Sequence, residues 1–222
     1  MKNKITVIIV CYNSVSSIEA TLLNVINYQV QRIVIDGGST DGTLDIVKKY
    51  RSYLSYWVSE PDKGIYDAMN KGWERADIDS YILYLGSGDL LIKLPEVSKP
   101  LNYDIIAGNV QIGKKFLFQP KVDMRLKLGN TLHHQALLIK KDIHPAPPFN
   151  IKFKTYADFD FNQRLYKAGH KISIDPQFES YALEGGLSAH FDSKQSLAVV
   201  KSNYGWFYVA LAKIYYYMRH EI

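Results

Sequence analysis

Hydrophobic positions in the first ninety residues fall in short runs separated by amphipathic stretches. Ile5 to Val10 is a near-continuous apolar run, the pattern of a strand covered on both faces, and Cys11-Tyr12-Asn13 ends it. Ser16-Ser17-Ile18-Glu19 then has capping-box spacing, and Ile18, Leu22 and Val25/Ile26 mark one face of a helix reaching about Tyr28. A second strand spans Arg32–Asp36, followed by a helix carrying Leu44, Val47 and Tyr50, and a third strand falls at Tyr56–Ser59. Ile65 to Ala76 reads as a helix, and Tyr81–Leu85 as a strand. Strand and helix alternate from the start, which predicts an α/β fold with a mostly parallel central sheet flanked by helices.

Beyond about Leu94 the pattern changes. Tyr103–Ala107 reads as a strand, and Val110–Ile112 with Phe116–Phe118 as a hairpin around Gly113-Lys114. His133-His134-Gln135 precedes the apolar run Ala136–Ile139, and adjacent histidines on an extended segment point to opposite faces. The proline-rich stretch Ile143–Phe149 is a loop. A helix opens near Asp158, with Phe161 and Leu165 on one face and Gly169 at its C′ position. Acids in a first turn favour the helix dipole, which alone explains one of Asp158 and Asp160. The tail Leu197–Met218 is apolar and aromatic, interspersed with Lys201, Lys213 and Arg219, and reads as one long amphipathic helix.

Two strand ends carry the chemistry. Ile33–Asp36 runs straight into Gly37-Gly38-Ser39-Thr40-Asp41-Gly42, and Tyr81–Leu85 into Gly86-Ser87-Gly88-Asp89. In open α/β sheets ligands sit beyond the carboxyl ends of strands, so Asp36 and Asp89 predict a crevice lined with carboxylates. Glycines at such turns let the backbone approach phosphate or sugar oxygens closely. An ordinary strand-to-helix turn capped by Thr40 or Asp41 accounts for the first stretch equally well.

Composition narrows the classes. With 222 residues the chain is long enough for one sizeable core, and no apolar run is long enough to span a bilayer. The basic start, Met1-Lys2-Asn3-Lys4, leads into a strand rather than a signal peptide, since the apolar run stops at Val10 without a small-residue cleavage site. A single cysteine, Cys11, excludes an internal disulfide and suits a reducing, cytoplasmic setting. The net charge of +5 permits an anionic partner, but no nucleic-acid-binding motif accompanies it.

The ordered set IDGGSTDGT, SEPDKGIYDAMNKG, YLGSGDLL, HHQ, YADFDFNQRL and EGGLS resembles family 2 glycosyltransferases of the GT-A fold, over roughly the first 190 residues. Within that family the motifs look most like those of bacterial enzymes that build O-antigen, capsule or exopolysaccharide repeat units. The resemblance implies transfer of a sugar, with inversion, from a nucleotide-diphosphate donor, usually UDP-linked, to an acceptor hydroxyl. It implies a nucleotide pocket at Cys11, Tyr12, Asn13 and Asp36, with Asp36 accepting from a pyrimidine N–H. Asp62, Lys63, Asn70 and Lys71 fall in the segment that completes the uridine and phosphate site. Ser87 and Asp89 stand where the family has its DxD motif, which holds Mn2+ or Mg2+ against the diphosphate. Only the last acid is present, and Gly37 replaces the usual second acid after Asp36, so strict metal dependence is in question. His190 is a further candidate ligand. Asp158 matches the catalytic acid of the family's ED motif, with Asp160 shaping the acceptor site and His133, His134 and Gln135 lining the cleft.

These readings divide the chain into a GT-A domain at 1–190 and a helical extension at 191–222. The extension has two readings: peripheral contact with the inner leaflet, where a lipid-linked saccharide acceptor waits, or packing on the sheet or on a second subunit as a homodimer. Two other functions compete, a non-catalytic nucleotide-sugar-binding protein and a sugar-1-phosphate nucleotidyltransferase. The latter needs a Gly-rich basic loop after the first strand, which Cys11-Tyr12-Asn13-Ser14 does not supply.

Overall fold

The computed structural model describes residues 4–95, 103–185 and 191–219. The first strands, β1 (Lys4–Cys11), β2 (Gln31–Asp36), β3 (Tyr56–Ser59) and β4 (Ser80–Gly86), run parallel in the order β3-β2-β1-β4. Both faces are covered, which is why their sequences are apolar throughout. Ile8, Val10, Ile33, Ile35, Ile82 and Tyr84 point to one core, while Val7, Ile9, Val34, Leu83 and Leu85 point to the other. Helices α1 (Ile18–Ile26) and α2 (Thr43–Lys49) bring Leu22, Val25 and Val47 to the second core; α3 (Ile65–Arg75) brings Tyr66 and Met69 to the first. At Gly72 the backbone of α3 comes so near β1 that a Cβ would collide with Ile8.

The second half adds antiparallel pairs to this parallel frame. In sequence order the strands are β5 (Leu90–Lys93), β6 (Ile105–Ile112), β7 (Phe116–Phe118), β8 (Leu137–Lys140) and β9 (Ile172–Ala182). Strand β8 joins β4 antiparallel, and the sheet continues β8-β6-β9-β5, with β7 paired to β6. The strand and hairpin arm expected at 103–107 and 110–112 are one element, β6. The join is Gly108, where a Cβ would strike Phe178 of β9, and the β6–β9 register shifts between Ala107 and Asn109.

Two local expectations are corrected. The capping box at Ser16–Glu19 does not form, because Glu19 instead accepts from Lys49 Nζ and Tyr50 OH, both at 2.7 Å. Helix α1 starts at Ile18 with no side-chain cap and ends at Ile26. The tail is two helices rather than one: α5 (Ser193–Tyr204) and α6 (Trp206–Met218) are broken at Gly205, whose φ of 80° lies in the left-handed region. α5 packs on α4 (Ala157–Lys167) and α6 on α5, and Phe159, Val199, Val200, Val209, Ala212 and Tyr216 form a third core between them. Gly169, at φ 80°, terminates α4 as its sequence predicts.

Candidate functional site

The carboxyl ends of β1 and β4, the start of α3, the 129–135 loop, the first turn of α4 and the end of α6 enclose one cavity of about 760 Å3. Cys11, Tyr12 and Asp62 line one part of it, and Ser87, Asp89, His134, Gln135 and Asp158 another. Residues 89 and 158 of the linear sequence therefore meet in a single cleft.

Asp158 is the most tightly determined of these groups. It sits in the first turn of α4, 8% exposed, and each carboxylate oxygen has a donor. Tyr66 OH lies 3.0 Å from Oδ1 and 2.8 Å from Thr155 O, so its single proton is shared between them. Asn130 Nδ2 donates to Oδ2 at 3.0 Å, and the Asn130 amide is itself oriented by Asn162, which donates to its Oδ1 at 3.0 Å. His134 Nδ1 stands 3.6 Å from Oδ2, beyond a formed hydrogen bond but within strong electrostatic reach. Burial alone raises the Asp158 carboxyl; His134, His133 and the Tyr66 hydroxyl outweigh it and hold the group below the ordinary carboxylate range. The same proximity, after burial, pushes the Tyr66 hydroxyl well above its ordinary value. An ionised carboxylate with a proton-holding neighbour is the result.

Asp160 faces elsewhere. Two residues along a helix turn the side chain by about 200°, so only one of the two acids can face the cleft. Asp160 is 2% exposed and pairs with Arg164 Nε at 2.8 Å and Asn203 Nδ2 at 3.0 Å. It joins α4 to α5, and this residue, expected to shape an acceptor site, does not line the cavity.

At the strand-end pole, Asp36 is fully buried and its oxygens accept from Ser39 N at 3.0 Å, Ser39 Oγ and Ser59 Oγ at 2.6 Å. It organises the Gly-rich turn from beneath and does not line the cavity, nor does Asn13, whose Oδ1 accepts from Thr40 N. Asp62 does line it. A Cβ at residue 37 would collide with the Asp62 carboxylate, so the space an acid at 37 would fill holds Asp62 instead. Three other expected residues stand outside the lining. Asn70 exchanges two hydrogen bonds with the backbone of Phe149, both at 2.9 Å. Lys71 reaches Glu60 and the Pro61 carbonyl, each at 2.9 Å, and the exposed Lys63 gives its backbone N–H to Asp67. Among the described lining residues the permanent cation is Arg219, after α6.

Asp89 is 5% exposed, and its oxygens accept from Gly86 N at 2.7 Å and Leu183 N at 3.1 Å. Burial raises its carboxyl, opposed by His134 and these backbone donors. Ser87 shares a hydrogen bond with Ser17 at 2.9 Å. Among the described residues no group of three His, Cys, Asp or Glu side chains is placed to hold a metal; His190 lies outside the described residues. The donor set would offer a hard divalent cation a single carboxylate arm, Asp89.

The paired histidines differ from the extended expectation. Residues His134–Ala136 wind into a 3-10 turn, so both rings line the cleft, with centroids 6.3 Å apart and planes 27° apart. His133 is oriented by Gln135 Oε1 at 2.9 Å, and burial lowers its pKa. Tyr66 and Asn130 were missed from sequence as site residues. Tyr66 lies within the quoted GIYDAMNKG stretch, but only the fold brings it to Asp158.

The sequence matches the Glycosyl transferase family 2 model over residues 6–136, more than half of the chain. A "PGL/p-HBAD biosynthesis glycosyltransferase" of Mycobacterium bovis is 28% identical over 180 residues, covering 74% of this chain and 70% of the relative. Among solved structures, Staphylococcus aureus TarS 1-349 in complex with UDP superposes with a TM-score of 0.66 at 19% identity, over 94% of this chain and 65% of that one. The Pyrobaculum calidifontis mannosyltransferase PcManGT, in complex with GDP-Man and Mn2+, superposes at 0.63 with 15% identity, over 89% and 61%. The chain thus spans about two thirds of these structural relatives' length, and their likeness establishes the GT-A architecture.

Proposed function

The chain belongs to glycosyl transferase family 2, and from that premise we propose that it moves a sugar, with inversion, from a nucleotide-diphosphate donor to a hydroxyl, with Asp158 as the base. The donor is a UDP-sugar, and the acceptor a lipid-linked saccharide of bacterial surface-polysaccharide synthesis at the cytoplasmic face of the membrane. The observation that carries this reading is the buried Asp158, held by Tyr66 and Asn130 inside a cleft that also opens on the strand ends.

The acceptor oxygen attacks the anomeric carbon as the bond to the diphosphate breaks, and the acceptor proton passes to Asp158. A single displacement needs no covalent enzyme intermediate. Tyr66 and Asn130 fix which lone pairs of the carboxylate remain to receive the proton. Tyr12 and Asp62 flank the nucleoside side of the cleft, and Arg219 supplies positive charge towards the diphosphate. A divalent cation, bound through Asp89 and the donor, would offset charge on the leaving diphosphate. His134 and Gln135 position donor sugar or acceptor.

The test is nucleotide release from a panel of UDP-, GDP- and TDP-sugars, with and without Mn2+ or Mg2+ and a diphospholipid-linked sugar. Acceptor-dependent release of UDP from one donor, with inverted product by NMR, is the expected result. Donor binding without transfer to any acceptor favours a binding protein.

A further inference from the structure

Helix α6 is apolar and aromatic at all but one of its positions, Lys213, yet one whole side of it is bare. Val209, Ala212 and Tyr216 face the third core. Trp206, Phe207, Ile214, Tyr217 and Met218, spaced 1, 7, 3 and 1 apart, fall together on the other side. They are 56–73% exposed. An uncovered aromatic and aliphatic strip of this kind marks a surface that is covered in use.

We infer that this side of α6 seats the protein on an anionic lipid surface. Charge decides the occupant. From Ser193 to Arg219 there is no acidic residue, while Lys194, Lys201 and Lys213 are basic and Arg219 is turned to the cleft. Lys213 flanks the apolar strip on the same helix, and Lys201 Nζ stands 4.1 Å over the Trp206 ring, an ammonium and an indole at one level, as at a headgroup boundary. A two-fold pairing of this surface with a second copy would set these cations against one another. An anionic leaflet takes both the apolar strip and the flanking charge. Tyr215, Tyr216 and Arg219, at the end of the same helix, line the cleft, so the seated protein keeps its cleft beside the lipid. The seating stands without the transfer reading; its use in meeting a lipid-linked acceptor rests on that reading.

Flotation of the full-length chain with vesicles of phosphatidylglycerol and phosphatidylcholine, against pure phosphatidylcholine, tests the seating without any donor. Wild type is expected to float with the anionic vesicles at least tenfold more than with the neutral ones. Trp206→Ser/Phe207→Ser loses flotation, and Lys201→Glu/Lys213→Glu loses the anionic preference. Thermal melting checks that both variants fold, since all four side chains are at the surface. Wild type remaining unbound, or both folded variants floating like wild type, overturns the inference. So does a wild-type dimer by light scattering that Trp206→Ser/Phe207→Ser turns into monomer, since the strip would then cover a second copy. Vesicle binding by a chain that turns over no donor leaves the seating intact and removes only the transfer reading.

Discussion

The Tyr66 hydroxyl and the Asp158 carboxylate, 92 positions apart, lie 3.0 Å from each other in the cleft. This contact ties the first turn of α3 to the first turn of α4, so the Asp158 carboxylate is held by the same helix that packs on the parallel strands. A hydrogen bond to a charged group is worth about 1.5–3 kcal/mol. Tyr66→Phe is therefore expected to lower kcat by roughly ten- to a hundredfold while leaving donor affinity near wild type. Steady-state kinetics with donor titration by calorimetry separates the two; an unchanged kcat removes Tyr66 from the mechanism.

His134 offers a pH-dependent test. Burial raises the Asp158 carboxyl, and His134 is the first of the groups that reverse it. Removing the imidazole in His134→Ala must raise the carboxyl's pKa, so the acid limb of kcat/KM moves to higher pH. The stability linkage has the same sign. A depressed carboxyl stabilises the fold above its unfolded pKa of about 3.9, and that stability is lost as pH falls through the lower folded value. In His134→Ala the folded value moves up towards the unfolded one, so this stabilisation is smaller and its loss on acidification is complete at a higher pH. A limb that stays put means the coupling is not felt in turnover.

Gly37 and Asp62 compete for one space. In Gly37→Ala the new methyl collides with the Asp62 carboxylate, which also accepts from Gly64 N at 2.8 Å. Displacing it should weaken UDP binding about tenfold, near 1.4 kcal/mol, with little change in Tm. Calorimetric Kd values for UDP check this, and equal affinities would take Asp62 out of the nucleotide pocket.

The parallel half of the fold was legible because each strand is covered on both faces and so carries its pattern in a contiguous run. Strand β9 was not: Asp175, Pro176 and Glu179 interrupt it, and its extended form comes from pairing with β6 and β5. The site divides the same way. Asp89 and Asp158 follow from strand-end and motif position, and both line the cleft. Asn70 and Lys71 share a motif with the nucleotide segment, yet their polar atoms go to Phe149, Glu60 and Pro61, contacts no local pattern announces. Asn130 sits in a loop without periodicity, and only the packing of α4 aims it at Asp158.

Asn70 accordingly has a structural consequence. Asn70→Ala leaves a buried N–H and C=O of Phe149 without partners, at a cost of about 1–3 kcal/mol. Chemical denaturation should register that loss, while UDP affinity measured well below the midpoint stays at the wild-type value. A weakened Kd with unchanged stability would return Asn70 to the binding site.

Asp158→Asn tests the role of the base most directly, because the amide keeps the shape and loses the proton acceptor. The measurement is acceptor-dependent nucleotide release by this variant, with donor Kd determined in parallel. If Asp158 takes the acceptor proton, turnover falls by at least a hundredfold while donor affinity stays within a few-fold of wild type. Turnover at the wild-type rate with donor bound normally would contradict it.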